Sequence, residues 1–191
     1  NIEQIKRVPH ANGIGLVRTE NTNNDIFFPS LKRRIAFYRA FLEATGGKSV
    51  NFRNLDVQLD KMPWLLSFFR YTGNKFYLEH PVGKAMTNVD TRAWLVCRDR
   101  YDFKNFGVMS PMVEDAKELF QIKGLVEKNK EKEKITGDIF EIGIMIETKK
   151  AIENLKAIIK TGIAKFFSIG TGDLIRFLYP GIDRNDPECY D

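Results

Sequence analysis

The sequence predicts an α/β fold in which parallel strands are covered by helices, and three observations carry that expectation. Apolar runs of strand length recur: "GIGLVR" (13–18), "SVNFRNL" (49–55), "NFGVMS" (105–110), "IFEIGIMI" (139–146) and "FFSI" (166–169). From about Val50 onward, strand-like and helix-like stretches mostly alternate. The strand-like runs are nearly continuous rather than alternating apolar and polar, as expected of strands buried on both faces of a parallel sheet.

Taken in order, Ile2 to about Val8 reads as the end of a helix, closed by Pro9 and Asn12-Gly13. The first strand follows, then a polar loop at Asn21–Asn24 and a helix start at Pro29-Ser30. Leu31, Ile35, Tyr38 and Leu42 recur at helical spacing until Gly46-Gly47 stops them. After the second strand, residues 62–90 carry glycines, prolines and aromatics with no clean period and read as irregular, with a short helix from Thr91 to about Arg98. The third strand leads at Pro111 into a helix reaching about Lys130, the fourth into a helix over Lys149–Lys160 closed by Gly162. The fifth ends in Gly170-Thr171-Gly172-Asp173, where an amphipathic stretch begins.

A chain of 191 residues, 43% hydrophobic and 29% charged, suffices for one domain with a real core. Its apolar runs are too short to span a bilayer, so no membrane insertion is expected. Asn1–Gln4 is polar, unlike the start of a secretory signal, and the missing Met suggests a fragment or a processed piece. Cys97 and Cys189 fit no metal or redox spacing, which predicts a reduced, cytoplasmic setting. The net charge of +5 weakly favours anionic partners, but the densest run of charge, the Lys/Glu tract 127–134, reads as a solvated helix face. No basic motif interleaved with aromatics is present, so no nucleic-acid partner is expected.

Charged residues of both signs gather after the strands. The first runs out into Arg18-Thr19-Glu20, and the second carries Arg53 and continues to Asp56, Asp60 and Lys61. The fourth ends on Glu147-Thr148 and the fifth reaches Asp173. In parallel α/β folds these ends share one face, where loops build the site. Arg18, Arg53 and Lys61 then supply positive charge and Glu147 and Asp173 hard oxygen ligands, a set suited to Mg²⁺ and a phosphate-bearing substrate. Each charge alone is more often a cap or a surface ion pair; it is their recurrence over several strand ends that raises the functional reading.

"GIGLVRTE", "NFRNLDVQLDK", "VMSPMV", "FEIGIMIET" and "FFSIGTGDL", in that order, resemble the phosphoenolpyruvate (PEP)-binding barrel of the enzyme I family of the phosphotransferase system. The tail "IRFLYPGIDRNDPECYD" looks more like the nitrogen-related branch. The resemblance implies a partial TIM (β/α)8-type barrel corresponding to about strands 2–6, one domain over residues 1–191, incomplete at both ends. It implies a cytoplasmic enzyme, phosphoenolpyruvate–protein phosphotransferase, homodimeric at full length. With Mg²⁺, such an enzyme passes the phosphoryl group of PEP to a histidine and on to an HPr-like phosphocarrier. Carried over by position, Arg18, Arg53, Lys61, Gly172 and Arg184 are substrate-binding and Glu147 and Asp173 metal-binding; no catalytic residue is assigned. Glu147 and Asp173 are expected to share one ion, and Arg18 and Arg53 to face the same cleft.

Departures from the pattern count too. Gln58-Leu59 stands where the family has Gly-Gly, and Gly172 where it has Asn. The "ENPxLGWR" segment survives only as "EHPVGK" (79–84), which leaves open whether Arg92 replaces its arginine. His10, His80 and Cys189 match no reactive residue of the family. These changes keep two alternatives in view: a degenerate dimerisation or regulatory module of the same family, and the PEP barrel of a pyruvate phosphate dikinase-like enzyme. With five strands of eight, a curved, half-open sheet is expected, with weak binding at most and no phosphotransfer by this chain alone.

Overall fold

A computed structural model describes residues 10–21, 30–56, 70–73 and 75–179, together with the single positions 5 and 67. The predicted helix at Ile2–Val8, apart from Ile5, and the calls on Lys61, Arg184 and Cys189 lie outside the described residues.

Five strands, β1 (Gly13–Arg18), β2 (Ser49–Arg53), β3 (Phe106–Ser110), β4 (Glu141–Ile146) and β5 (Phe166–Ile169), form one sheet in the order β1-β2-β3-β4-β5. Every pairing is parallel, and the sheet curls into a half-barrel whose outer strands do not meet. The partial (β/α)8-type barrel is therefore the observed fold.

Side chains alternate across the strands, and the two faces have separate tasks. Val50 and Phe52, Phe106 and Val108, and Ile142, Ile144 and Ile146 face the helices and join one buried cluster with Tyr38, Trp94 and Phe140. Its aromatic centre packs edge to face, Tyr38 on Phe52 at 5.0 Å and Phe52 on Phe106 at 5.8 Å between ring centroids. On the opposite face, Gly107 and Gly143 leave room for the Phe166 ring, which a Cβ at either position would meet at 2.6 and 2.3 Å.

Helix α1 (Leu31–Ala44) follows β1 as its spacing predicts. The middle of the chain extends the sequence reading: α2 (Phe76–Glu79) leads into α3 (Pro81–Arg100), a twenty-residue helix that contains the one expected over Thr91–Arg98 and begins ten residues earlier, inside the stretch expected to be irregular. Pro81 occupies its first turn, and His80 caps it by accepting a hydrogen bond from the Val82 amide at Nδ1, 3.2 Å away. Gly83 is required there, because a Cβ would lie 1.9 Å from the Phe76 carbonyl oxygen. A buried ion pair ties α1 to α3: Arg34 Nη2 donates to Asp90 Oδ2 at 2.6 Å, and the Tyr38 hydroxyl to Oδ1 at 3.1 Å.

Helix α4 (Ala116–Lys132) starts five residues after Pro111, because Asp115 caps it by accepting from the Glu118 amide. The helix predicted over Lys149–Lys160 is two short ones, α5 (Lys149–Glu153) and α6 (Leu155–Lys160). They break at Asn154, whose amide donates to the Glu114 carbonyl at 3.0 Å. Helix α7 (Thr171–Leu178) closes the described chain. Among the described residues, no helix is long and apolar enough to cross a membrane.

Candidate functional site

Parallel pairing in register brings the carboxyl ends of the strands to one rim. Arg18 pairs across to Arg53, Arg53 to Met109, and Ile146 to Ile169. The residues that follow each strand therefore meet above the sheet, and most are buried: Thr19, Glu20, Arg53, Asn54, Asp56, Ser110, Glu147, Thr148 and Asp173. A rim of buried charge is costly unless paired, so its pairing pattern identifies what is already satisfied.

Arg53 is the central cation. Its Nη2 bonds Glu20 Oε1, its Nη1 lies 2.8 Å from Asp56 Oδ2, and the same nitrogen approaches Met145 Sδ at 3.9 Å. The Arg53 carbonyl accepts from the Thr19 hydroxyl at 2.8 Å, locking the exit of β1 to that of β2. Asn54 continues the rim by donating from Nδ2 to Ser110 Oγ at 2.8 Å. Sequence reasoning placed Glu20 and Asp56 at the strand ends without giving them a task, and passed over Asn54. The signal was present in the spacing, since Glu20 lies two residues after Arg18 and Asp56 three after Arg53.

Glu147 is the central anion. Its Oε1 accepts from the Met112 amide at 2.7 Å, presented by a turn in which Met112 is buried and takes the left-handed φ of 54°. Such a conformation is rare outside glycine and marks a turn shaped by its surroundings. The other oxygen, Oε2, is buried without a hydrogen-bond partner. Gly170 stands directly against it, since a Cβ there would lie 2.5 Å away. Burial, with Asp56 and Asp173 nearby, pushes the Glu147 carboxyl up to about 7, against the opposing pull of the Met112 amide and Arg53.

Asp173 is buried in the first turn of α7 and pairs with Arg176 at 3.3 Å; the cap position is Gly170. Its electrostatic effect on Glu147 puts the two carboxylates in one neighbourhood. Gly172, in the same turn, is half-buried. Arg18 is exposed, and no ion pair holds it among the described residues. Arg92 bonds Glu133, just beyond the end of α4, and no rim group.

Besides the Asn54 amide oxygen, three buried atoms of the charged rim side chains have no hydrogen-bond partner: Glu20 Oε2, Arg53 Nε and Glu147 Oε2. Buried polar groups are ordinarily satisfied, so unmatched donors and acceptors of both signs suit a ligand that brings both signs. Among the described residues, no group of three or more His, Cys, Asp or Glu side chains forms a complete metal cage. Mg²⁺ is commonly held by only one or two carboxylates, completed by water and substrate oxygens.

Residues 2–191 match the family model described as the PEP-utilising enzyme, PEP-binding domain. The chain is 32% identical over 200 residues to a phosphoenolpyruvate-protein phosphotransferase of Enterococcus faecalis, covering 95% of this chain and 33% of that protein. It is 29% identical to the protein of the same name from Haemophilus influenzae, covering 92% and 31%. It is also 29% identical to multiphosphoryl transfer protein 1 of Escherichia coli, covering 93% and 22%. The chain thus spans a third or less of the length of these relatives.

Proposed function

The chain belongs to the PEP-utilising enzymes, as their PEP-binding domain, and from that membership we propose that its strand-end rim binds phosphoenolpyruvate with Mg²⁺ for phosphoryl transfer. The observation that carries this reading is the set of unmatched buried atoms, an arginine nitrogen and two carboxylate oxygens, in one rim. Glu147 and Asp173 would hold the ion, which neutralises phosphate charge when bound. Arg53 and the exposed Arg18 would bind the phosphate and carboxylate of the substrate, guanidinium groups being suited to bidentate contact with both. Phosphoryl transfer needs positioning and electrostatics more than a nucleophile on this domain. The acceptor is then a histidine outside the rim, the onward carrier an HPr-like protein, and the working form a homodimer.

A second reading, the non-catalytic module, is favoured by one feature: Arg53 is already neutralised by Glu20 and Asp56. Calorimetric titration with PEP, with and without Mg²⁺, separates the two. Binding that needs Mg²⁺ and weakens at least about tenfold in Arg18→Ala, an exposed position that leaves the fold alone, is the expected result (about 1.4 kcal/mol). Binding indifferent to both Mg²⁺ and Arg18 would refute the substrate-binding assignment.

A further inference from the structure

Behind the rim, between the sheet and helices α3 and α4, lies a small interior cavity lined by Asn54, Thr87, Trp94, Ser110 and Phe140, among others. The space open to the centre of a water molecule there is about 10 Å³, close to what one water requires. Three of its lining residues are buried and each leaves a polar atom without a partner: Asn54 Oδ1, Thr87 Oγ1 and Trp94 Nε1. Three such residues lining one cavity of this size call for a common explanation, because each unmatched group carries the full penalty of lost hydration.

We propose that this cavity is a binding site for a single buried water that joins α3 to the end of β2. The donor and acceptor types fit one molecule. The Trp94 indole N–H can only donate, the Asn54 carbonyl oxygen can only accept, and the Thr87 hydroxyl can do either. A water accepting from Trp94 and donating to Asn54 keeps one further bond for Thr87, within the two to four partners such waters make. Asn54 already donates through its other amide atom to Ser110, so the water completes its side-chain bonding and fixes the residue next to Arg53 from behind. The site stands independently of what the rim binds.

The sign of one substitution tests it. Thr87→Val keeps the shape and removes the hydroxyl. If a water is bound, it loses a partner and the melting temperature of the full chain falls by about 2–4 °C, the response of a domain this size to loss of about one hydrogen bond. Thr87→Ser, which keeps the hydroxyl, serves as the control and should retain the water. In the unaltered chain, a high-resolution crystal structure should place ordered density between the three atoms, and water-¹⁷O relaxation dispersion should lose one long-lived water in Thr87→Val. An unchanged or raised melting temperature in Thr87→Val would overturn the proposal, because removing an unsatisfied hydroxyl from a dry site relieves a penalty. Cavity density empty in the unaltered chain would overturn it as well.

Discussion

Arg53→Met removes the cation from a site where both its carboxylate partners are buried. Arg53, Glu20 and Asp56 expose 3%, 4% and 0% of their side chains, so solvent cannot screen what remains. Breaking a buried ion pair from one side typically costs about 3–5 kcal/mol, far more than an exposed pair contributes. For a domain of this size that corresponds to a fall in melting temperature of about 6–20 °C, measured by differential scanning calorimetry. Most of this cost falls on the buried carboxylates that lose their cation rather than on the lost attraction. The triple variant Arg53→Met/Glu20→Gln/Asp56→Asn should therefore recover more than half of the deficit. A single variant within about 2 °C of the unaltered chain, or a triple variant no better than the single, would refute the assignment of these three residues as one buried unit.

The remaining expectations concern the same rim and the core behind it. Glu147 titrates near 7 in the folded chain against about 4.5 unfolded, so the folded state holds the extra proton between those values. Stability in metal-free buffer should then fall as pH rises from about 4.5 through 7, by on the order of 3 kcal/mol, and Glu147→Gln should flatten that slope in pH-dependent denaturation curves. Gly170→Ala drives a methyl group against Glu147 Oε2; Mg²⁺-dependent PEP binding should fall at least about tenfold (about 1.4 kcal/mol), while calorimetric stability falls by about 1–3 kcal/mol. Burial pushes the Cys97 thiol up to about 12, so peptide mass spectrometry should find it unalkylated at neutral pH until the chain is unfolded.

The strands were legible because strands of a parallel sheet are apolar on both faces, and all five formed where apolar runs stood. Helix α3 was legible from Thr91 to about Arg98 and hidden before it. Over its first half the buried face is Gly83, Met86, Thr87 and Asp90, a helical spacing in which only Met86 is a large apolar residue, so no apolar stripe marks the period. Asp90 and Arg34 added to the disguise, being charges that face each other in the interior. At the rim, position was legible and pairing was not. That Arg53 lies at a strand end follows from the apolar run before it, but that Glu20 and Asp56 close upon it depends on how β1 and β2 align. The Gly107 and Gly143 gap filled by Phe166 likewise joins residues far apart in sequence, which no local pattern expresses.

Because strand order in the sheet repeats strand order in the chain, assembly can follow synthesis, each new β-strand adding beside the one made just before it. Glu20, Arg53 and Asp56 leave the ribosome first, and Glu147 follows 91 positions after Asp56. At roughly 5–20 residues per second that interval is about 5–20 s. Through it, the nascent chain holds a buried cation already enclosed by two carboxylates, so the half-made rim carries its central cation paired while it waits for Glu147. Ribosome-stalled chains ending between β3 and β4 should accordingly resist proteolysis across β1–β2, and lose that resistance in Arg53→Met. A partnered cation during growth, and not only in the finished rim, is then something Glu20 and Asp56 supply.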